Sequence, residues 1–230
     1  PIESESINNG GVRNVIDRTI KKQIDRLIFV STCSNYGLIQ SNELANENWP
    51  TNPLSSYAKS KISNEEYLLS GTDLGKTTVT VLRFATAFGL SPRMRFDLTI
   101  SEFVRELFVG NELLIYDADT WRPYCHVNDF ARLIHEVLEA SSSVLHKELF
   151  NAGGVKNNYT KRMIADQILE IIPNGRIRYQ ERGEDPRNYR VDFTKLNNTF
   201  NFEPRYSVEW GIQELLQALE QRVFDLGPET

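Results

Sequence analysis

Two kinds of apolar pattern alternate along the first 84 residues. Between Ile7 and Lys22 the apolar residues recur at helical spacing, which predicts an amphipathic helix with one buried stripe. The runs Arg26 to Thr32 and Thr78 to Phe84 are continuous strand formers, as in strands covered on both faces. A second helix is predicted from about Leu54 to Ser70. This alternation predicts an α/β fold with a doubly wound parallel sheet.

After Gly89 the predicted elements are shorter and more mixed. LLIY, KELFNAGG and IRY are typical of short strands, whereas the stretch DADTWRPYC between them is polar. Apolar residues at helical spacing predict four more helices. These helices run from about Leu98 to Val109, Asn128 to Ala140, Lys161 to Ile172 and Ser207 to Val223.

Composition narrows the class of partner. The net charge of −5 argues against a nucleic-acid or anionic-membrane binder, although a local basic pocket for phosphate stays open. Cys33 and Cys125 do not form a CxxC pair, so neither a disulfide framework nor a metal site is indicated. There is no apolar run of roughly 18 residues, and PIESESINN is unlike a signal peptide. We expect a cytoplasmic protein with a small-molecule partner.

Candidate chemistry begins with Tyr57 and Lys61, which lie four residues apart on a predicted helix and so share a face. An ammonium beside a phenol stabilises the phenolate and should lower the tyrosine pKa from about 10, making a general base or acid. The same spacing is common on solvated helix faces. However, Thr32 ends a predicted strand 25 residues earlier, at the sheet edge where α/β folds bind ligands.

These residues resemble a known family. STCSNYG at 31–37, followed by the Tyr57 and Lys61 helix, is similar to the extended short-chain dehydrogenase/reductase family, the NAD-dependent nucleotide-sugar epimerases and dehydratases. Four other stretches resemble the family in the same order along the chain. They are INNGGVRNV, LRFATAFG, WRPYCHVNDFARL and RGEDPRNYRVDFTKL.

The resemblance implies an incomplete Rossmann-like sheet. No GxGxxG or GxxGxxG loop occurs, and the glycines at 10 and 11 lie inside the first predicted helix. Residues 1–89 are then the carboxy-terminal part of a dinucleotide-binding domain, and 90–230 are mainly a smaller α/β substrate lobe, with about 113–135 returning to the first sheet. Either the chain is a piece of a longer enzyme, which a start without methionine favours, or it is a short homologue without redox turnover.

The implied reaction is a transient oxidation with NAD or NADP. Tyr57 would take a proton from a sugar hydroxyl while hydride leaves the same carbon for the nicotinamide. Lys61 would hold the nicotinamide ribose, Thr32 would hydrogen-bond the reacting oxygen, and Ser31 would also contact the cofactor. The implied substrate is a nucleoside-diphosphate (NDP) sugar, and the implied assembly is a homodimer through the two helices before and after Thr32.

Substrate contacts are expected at the end of the same strand and in the second half. Family 4,6-dehydratases carry Asp-Glu where this chain has Cys33 and Ser34, so a 4-epimerase or a 4-ketosugar reductase fits better. Cys33 is either an acid–base thiol or a small buried residue. Arg122 and Arg182 align with arginines that contact the diphosphate, and Asp185 is either a ribose contact or a helix cap. Surface roles stay open for Arg93, Arg95, Arg187 and Arg190. The full set of expected substrate residues is Cys33, Ser34, Thr86, Arg93, Arg95, Arg122, Arg182 and Asp185.

Overall fold

A computed structural model describes residues 6–40, 42–183 and 185–224 of the chain. Its helices are α1 (Val12–Lys21), α2 (Ser56–Glu66), α3 (Thr99–Phe108), α4 (Val127–Glu139), α5 (Ser142–Leu145), α6 (Lys161–Ile171), α7 (Thr194–Phe200) and α8 (Val208–Glu220). Its strands are β1 (Arg26–Thr32), β2 (Leu44–Ala45), β3 (Thr78–Phe84), β4 (Thr86–Phe88), β5 (Glu112–Tyr116), β6 (Trp121–His126), β7 (Glu148–Ala152), β8 (Asn158–Thr160), β9 (Arg176–Gln180) and β10 (Arg190–Val191). Short π-helical and 3-10 turns connect several of them.

The first sheet has the strand order β1-β3-β7, and all three strands are parallel. Thr32 pairs with Phe84, and Phe84 pairs with Ala152, so the carboxyl ends of the three strands lie at one edge. The predicted parallel α/β fold is confirmed. Ligands of such sheets bind at the edge that the carboxyl ends of the strands form.

Both faces of this sheet are covered, as the continuous apolar strands predict. Val79 and Val81 of β3 pack on one side with Ile16 of α1, while Leu82 packs on the other side with Leu133 of α4. The alternation follows from the two-residue period of a strand. Each fully buried side chain of this size contributes about 1.5–3 kcal/mol.

The second half contains a strand that the sequence did not predict. β6 lies within the stretch expected to be a polar connection, and it pairs in parallel with β4 and antiparallel with β8. Arg122, Tyr124 and His126 are nevertheless buried in it. Arg122 binds Asp185 and His126 binds Glu214, both from distant parts of the chain, so local polarity does not indicate exposure here.

The segment 113–135, which was expected to return to the first sheet, contains most of β5, all of β6 and the start of α4. β5 pairs with β9, and β6 pairs with β4 and β8. Helix α4 instead packs against the first sheet, where the rings of Phe130 and Phe84 stack with centroids 3.7 Å apart. The proposed division at residue 89 stays a prediction.

Membrane-spanning helices and metal-binding clusters are both absent from the described residues. No helix in this part of the chain is long and apolar enough to cross a membrane. In the same residues, no group of three or more His, Cys, Asp or Glu side chains is placed to hold a metal ion.

Candidate active site

Thr32 ends β1 and caps the short 3-10 turn Cys33–Tyr36. Its backbone is extended, and its Oγ1 accepts a hydrogen bond from the backbone N–H of Ser34 at 3.1 Å. The Ser34 hydroxyl lies 2.9 Å from the same oxygen. The capping preference of a threonine therefore places two hydroxyl groups together at the carboxyl edge of the sheet.

Gly37 closes this turn in a conformation that needs glycine. Its φ is +66°, and a Cβ built there would lie 1.9 Å from the backbone oxygen of Asn52. Tyr36 before it is buried, and its hydroxyl donates to Asn151 Oδ1 at 2.7 Å. Tyr36-Gly37 therefore fixes the direction in which the chain leaves the Thr32 edge.

Helix α2 brings Tyr57 and Lys61 to the same edge. The helix begins after Ser55, whose hydroxyl accepts from the Ala58 N–H at 3.1 Å. Lys61 Nζ donates to the backbone oxygen of Val30 in β1 at 2.8 Å. It lies 5.6 Å from the centroid of the Tyr57 ring. The predicted pair thus shares one face of α2 beside the end of β1, and the Tyr57 side chain is 44% exposed.

The ionisation of this pair differs from the sequence prediction. Burial raises the pKa of Tyr57 instead of lowering it. Burial also lowers the pKa of Lys61, which the nearby Glu65 carboxylate opposes. The physical reason is that desolvation destabilises the phenolate, and the Lys61 ammonium, 5.6 Å from the centroid of the ring, does not offset it.

A cavity of about 310 Å³ lies at this edge. Five of the predicted residues line it, namely Ser31, Thr32, Ser34, Tyr57 and Thr86. The other lining residues are Val30, Phe84, Ala85, Ala87, Leu98, Arg187 and Tyr189. Hydroxyl groups and one guanidinium thus face a largely apolar space, and among the described residues no carboxylate lines it.

Arg187 reaches this cavity, and its position depends on Asp185. The guanidinium of Arg187 donates to both oxygens of the Asp185 carboxylate at 2.7 Å. Arg122 Nη2 also donates to Asp185, at 3.1 Å, and Arg122 Nη1 donates to the backbone oxygen of Arg187. Partial burial would raise the pKa of Asp185, but the two arginines outweigh it and hold that pKa well below its usual range.

Several predicted substrate residues do not line this cavity. Cys33 is buried, donates to the Arg83 carbonyl at 3.1 Å, and has a pKa that burial raises far above its usual value. Arg95 pairs with Asp97 while its side chain is 61% exposed, and Arg182 is held by its backbone N–H. The remaining members of this group, Arg93, Arg122 and Asp185, also lie off the cavity wall.

Two charged residues behind the cavity were not predicted. Glu65 follows Lys61 by one turn on α2, and Arg83 lies on β3. Arg83 Nη2 donates to Glu65 Oε2 at 2.6 Å, and both side chains are almost fully buried. The sequence signal for Glu65 was its spacing, since residues 57, 61 and 65 share one helix face.

A larger cavity of about 680 Å³ lies elsewhere, between the turn after β7 and the segment before α8. Its walls include Lys156 and Arg205 but also Asp192 and Glu203, so the charges balance. None of the predicted catalytic residues lines it. The residues that line the smaller cavity therefore indicate the candidate active site better than the size of the larger cavity does.

Comparison with known proteins agrees with the predicted resemblance. Residues 1–153 match the NAD dependent epimerase/dehydratase family. A dTDP-glucose 4,6-dehydratase from Actinoplanes sp. is 29% identical over 209 residues, covering 89% of this chain and 63% of that relative. The chain therefore spans less than two thirds of the length of this curated relative.

Two solved structures match nearly the whole length of this chain. The dTDP-glucose 4,6-dehydratase from Bacillus anthracis in complex with NAD has a TM-score of 0.82 at 28% identity, covering 94% of this chain and 69% of that chain. The UDP-glucose 4-epimerase from Thermotoga maritima with UDP-glucose has a TM-score of 0.83 at 25% identity, covering 95% and 71%. The predicted family resemblance is confirmed, and the chain belongs to the NAD-dependent epimerase/dehydratase family.

Proposed function

We propose that this chain carries the substrate-facing part of an NDP-sugar-modifying enzyme, a 4-epimerase or a 4-ketosugar reductase. The observation that supports it most is the cavity at the end of β1, which Thr32, Ser34 and Tyr57 all line. A sugar presents hydroxyl and carbonyl oxygens, which such groups can orient. The relatives include both a dehydratase and an epimerase, so we infer the type of reaction from the residues of this cavity.

Tyr57 is the proposed proton-transfer group. Since burial raises its pKa, the phenol is neutral near pH 7 and can donate a proton to a sugar carbonyl oxygen. Thr32 would hydrogen-bond the same oxygen. For the reverse transfer the phenolate must form, and the Lys61 ammonium, one turn away on α2, is the charge that would stabilise it.

The residues present fit one end of a nicotinamide cofactor. Lys61 uses one of its three N–H donors on Val30, and the others are available for ribose hydroxyls. Ser31, which follows Val30 in β1, lines the cavity. When bound, NAD or NADP would accept hydride from the sugar or return it. Residues for the pyrophosphate end do not occur in this sequence, which has no glycine-rich loop.

Arg187 is the proposed contact for the sugar diphosphate. Its guanidinium lines the cavity and already binds a carboxylate with both oxygens, a geometry that suits phosphate equally well. A diphosphate could replace Asp185 as its partner. In this proposal Arg122 supports Arg187 through Asp185, and Arg93, Arg95 and Arg182 would reach the substrate only after rearrangement.

The residues after Thr32 argue against dehydration. Cys33 is buried in the core, and its raised pKa keeps the thiol protonated. Ser34 has a hydroxyl of ordinary chemistry and no carboxylate beside it on the cavity wall. Removal of water would need an acid and a base that this wall does not supply.

A second candidate is a nucleotide-sugar-binding homologue without redox turnover. The observations in its favour are that Lys61, the expected ribose contact, does not line the cavity and that burial raises the pKa of Tyr57. Calorimetry with NAD separates the two. Binding of UDP-sugars without any binding of NAD by the protein expressed from its complete coding sequence would favour the second candidate.

The assembly is also a proposal. Helices α1 and α2 are fixed to each other, since Arg13 donates to Ser63 and Asn64. Ile7 and Val15 on the first helical segment expose apolar surface that a second copy could cover. We propose a homodimer through these helices, which sedimentation velocity would test.

The direct test is a thermal-shift screen of NDP-sugars followed by turnover measurements. A ligand that binds only the folded state raises its stability, by about 2.7 kcal/mol at a hundredfold excess over Kd. The shift should be smaller in Arg187→Met. Tyr57→Phe should abolish turnover and leave the shift unchanged, whereas Tyr116→Phe, a tyrosine of similar exposure on β5, should change neither. Full turnover in Tyr57→Phe would rule out this mechanism.

A further inference from the structure

A buried ion pair lies directly behind the cavity and joins helix α2 to strand β3. Arg83 Nη2 donates to Glu65 Oε2 at 2.6 Å, and Arg83 Nε lies 3.1 and 3.2 Å from the two carboxylate oxygens. Removing two charges from water costs about as much as their attraction returns. Stability alone therefore gives no reason for charges at this place.

Glu65 of this ion pair, together with Lys61, fixes the position of α2 along β1. Lys61 and Glu65 lie on consecutive turns of α2 and bind consecutive residues of β1. Lys61 donates to the Val30 carbonyl, and Glu65 accepts from the Ser31 hydroxyl. The next residue of the strand is Thr32. A slide or rotation of α2 would break both contacts and move Tyr57 relative to Thr32.

The turn after Thr32 is attached to the same pair. Asn35 Nδ2 donates to Glu65 Oε1 at 2.9 Å, and Arg83 Nη1 donates to the Tyr36 hydroxyl at 3.0 Å. Tyr36 in turn donates to Asn151, in strand β7. Helix, strand end and turn are thus connected through one carboxylate and one guanidinium.

We propose that Glu65 and Arg83 are positioning residues that set the distance between the Tyr57 and Thr32 hydroxyls. Neither side chain lines the cavity, so they act through α2 and the Thr32 turn and not on the substrate. The inference rests on the proposed function for its effect on turnover. Its effect on the placement of Tyr57 does not depend on that function.

The test is Arg83→Lys. Lysine keeps the positive charge beside Glu65, but it lacks the planar guanidinium that binds the carboxylate through Nε and Nη2 and the Tyr36 hydroxyl through Nη1. We expect kcat to fall by about tenfold to a hundredfold, since small misplacements of reacting groups have effects of this order. KM should stay within about twofold of the wild-type value, because Arg83 does not line the cavity and the proposed diphosphate contact, Arg187, is not attached to it.

Arg162→Lys is the matched control. Arg162 also binds a carboxylate through Nε and Nη2, in this case Asp119 at 2.8 and 3.0 Å, but the pair is exposed and neither residue lines the cavity. The same chemical change there should alter neither kcat nor KM.

A second measurement does not require turnover. The phenolate absorbance of Tyr57, obtained as the difference between each variant and its Tyr57→Phe counterpart, gives the titration midpoint of this residue. Because burial raises the pKa of Tyr57, loosening of α2 in Arg83→Lys should move the midpoint down towards the ordinary tyrosine value. Arg162→Lys should leave it in place.

The outcomes are distinct. A folded Arg83→Lys variant with unchanged kcat and an unchanged Tyr57 midpoint would overturn the positioning role. If the wild-type protein, expressed from its complete coding sequence, turns over no NDP-sugar, the proposed function fails and the midpoint alone decides this inference. If Arg83→Lys does not fold, the double variant Arg83→Met with Glu65→Leu removes both charges and is measured in the same way.

Discussion

Two arginine–carboxylate pairs flank the same cavity with similar geometry and different surroundings. The inner pair, Arg83 with Glu65, has side chains only 7% and 4% exposed. The outer pair, Arg187 with Asp185, is 35% and 40% exposed. In both pairs one guanidinium binds both oxygens of a carboxylate. Because the outer pair is partly exposed, water can replace Asp185 as the partner of Arg187. The inner pair is buried, so water does not replace Glu65 as the partner of Arg83.

This difference separates structural from exchangeable charges. Arg83 and Glu65 of the inner pair cannot separate without leaving an unpaired ion in an apolar interior. The outer arginine can exchange Asp185 for a ligand oxyanion at modest cost, because surface ion pairs contribute about 0–1 kcal/mol. Similar residue pairs therefore serve as a fixed support behind the cavity and as a binding group at its rim.

The largest expected effect is on folding stability when the inner pair is broken. Arg83→Met leaves Glu65 buried without its cation and should lower the free energy of unfolding by about 3–5 kcal/mol. Arg187→Met, at the half-exposed outer pair, should cost less than about 1 kcal/mol. Urea unfolding of both variants measures the difference. Equal losses would contradict the distinction between the two pairs.

The next largest expected effect is also on folding stability, at the turn that joins the inner pair to Thr32. Gly37→Ala combines a left-handed backbone with an overlap of Cβ and the Asn52 oxygen, 1.9 Å apart. Gly75→Ala is the matched control, since Gly75 also has a positive φ but open space around a Cβ. The control should lose about 1–2 kcal/mol of unfolding free energy, the cost of that conformation, and Gly37→Ala should lose more.

The sequence predicts the inner side of the site better than the outer side. β1 and β3 are continuous apolar runs, and Tyr57 and Lys61 follow from spacing on one helix, so local pattern is sufficient for both. Glu65 has the same spacing as Lys61 and could have been recognised as a charged residue on a buried face. Its partner Arg83 lies 18 residues away on another element, and no local pattern gives that contact.

The outer side depends on contacts that sequence does not carry. Arg122 is buried because it binds Asp185, 63 residues later, and a polar stretch thereby becomes strand β6. Arg187 was one of several arginines with no local feature to select it. The pKa of Tyr57 shows the same limit, because its direction depends on how far the folded chain buries the phenol.

The smallest expected effect is a pH dependence at the outer pair. Because Arg187 and Arg122 hold the pKa of Asp185 below its unfolded value of about 3.9, its contribution to stability is complete above that pH and is lost as the pH falls through the folded pKa. Asp185→Asn lacks this contribution, so the stability difference from wild type should be largest near pH 7 and shrink below about pH 4. Urea unfolding over pH 3–7 measures it, with Asp166→Asn, an exposed carboxylate on α6, as the control. A difference that stays constant with pH would mean that the Asp185 charge does not stabilise the fold, and that Arg187 is held at the cavity by packing instead.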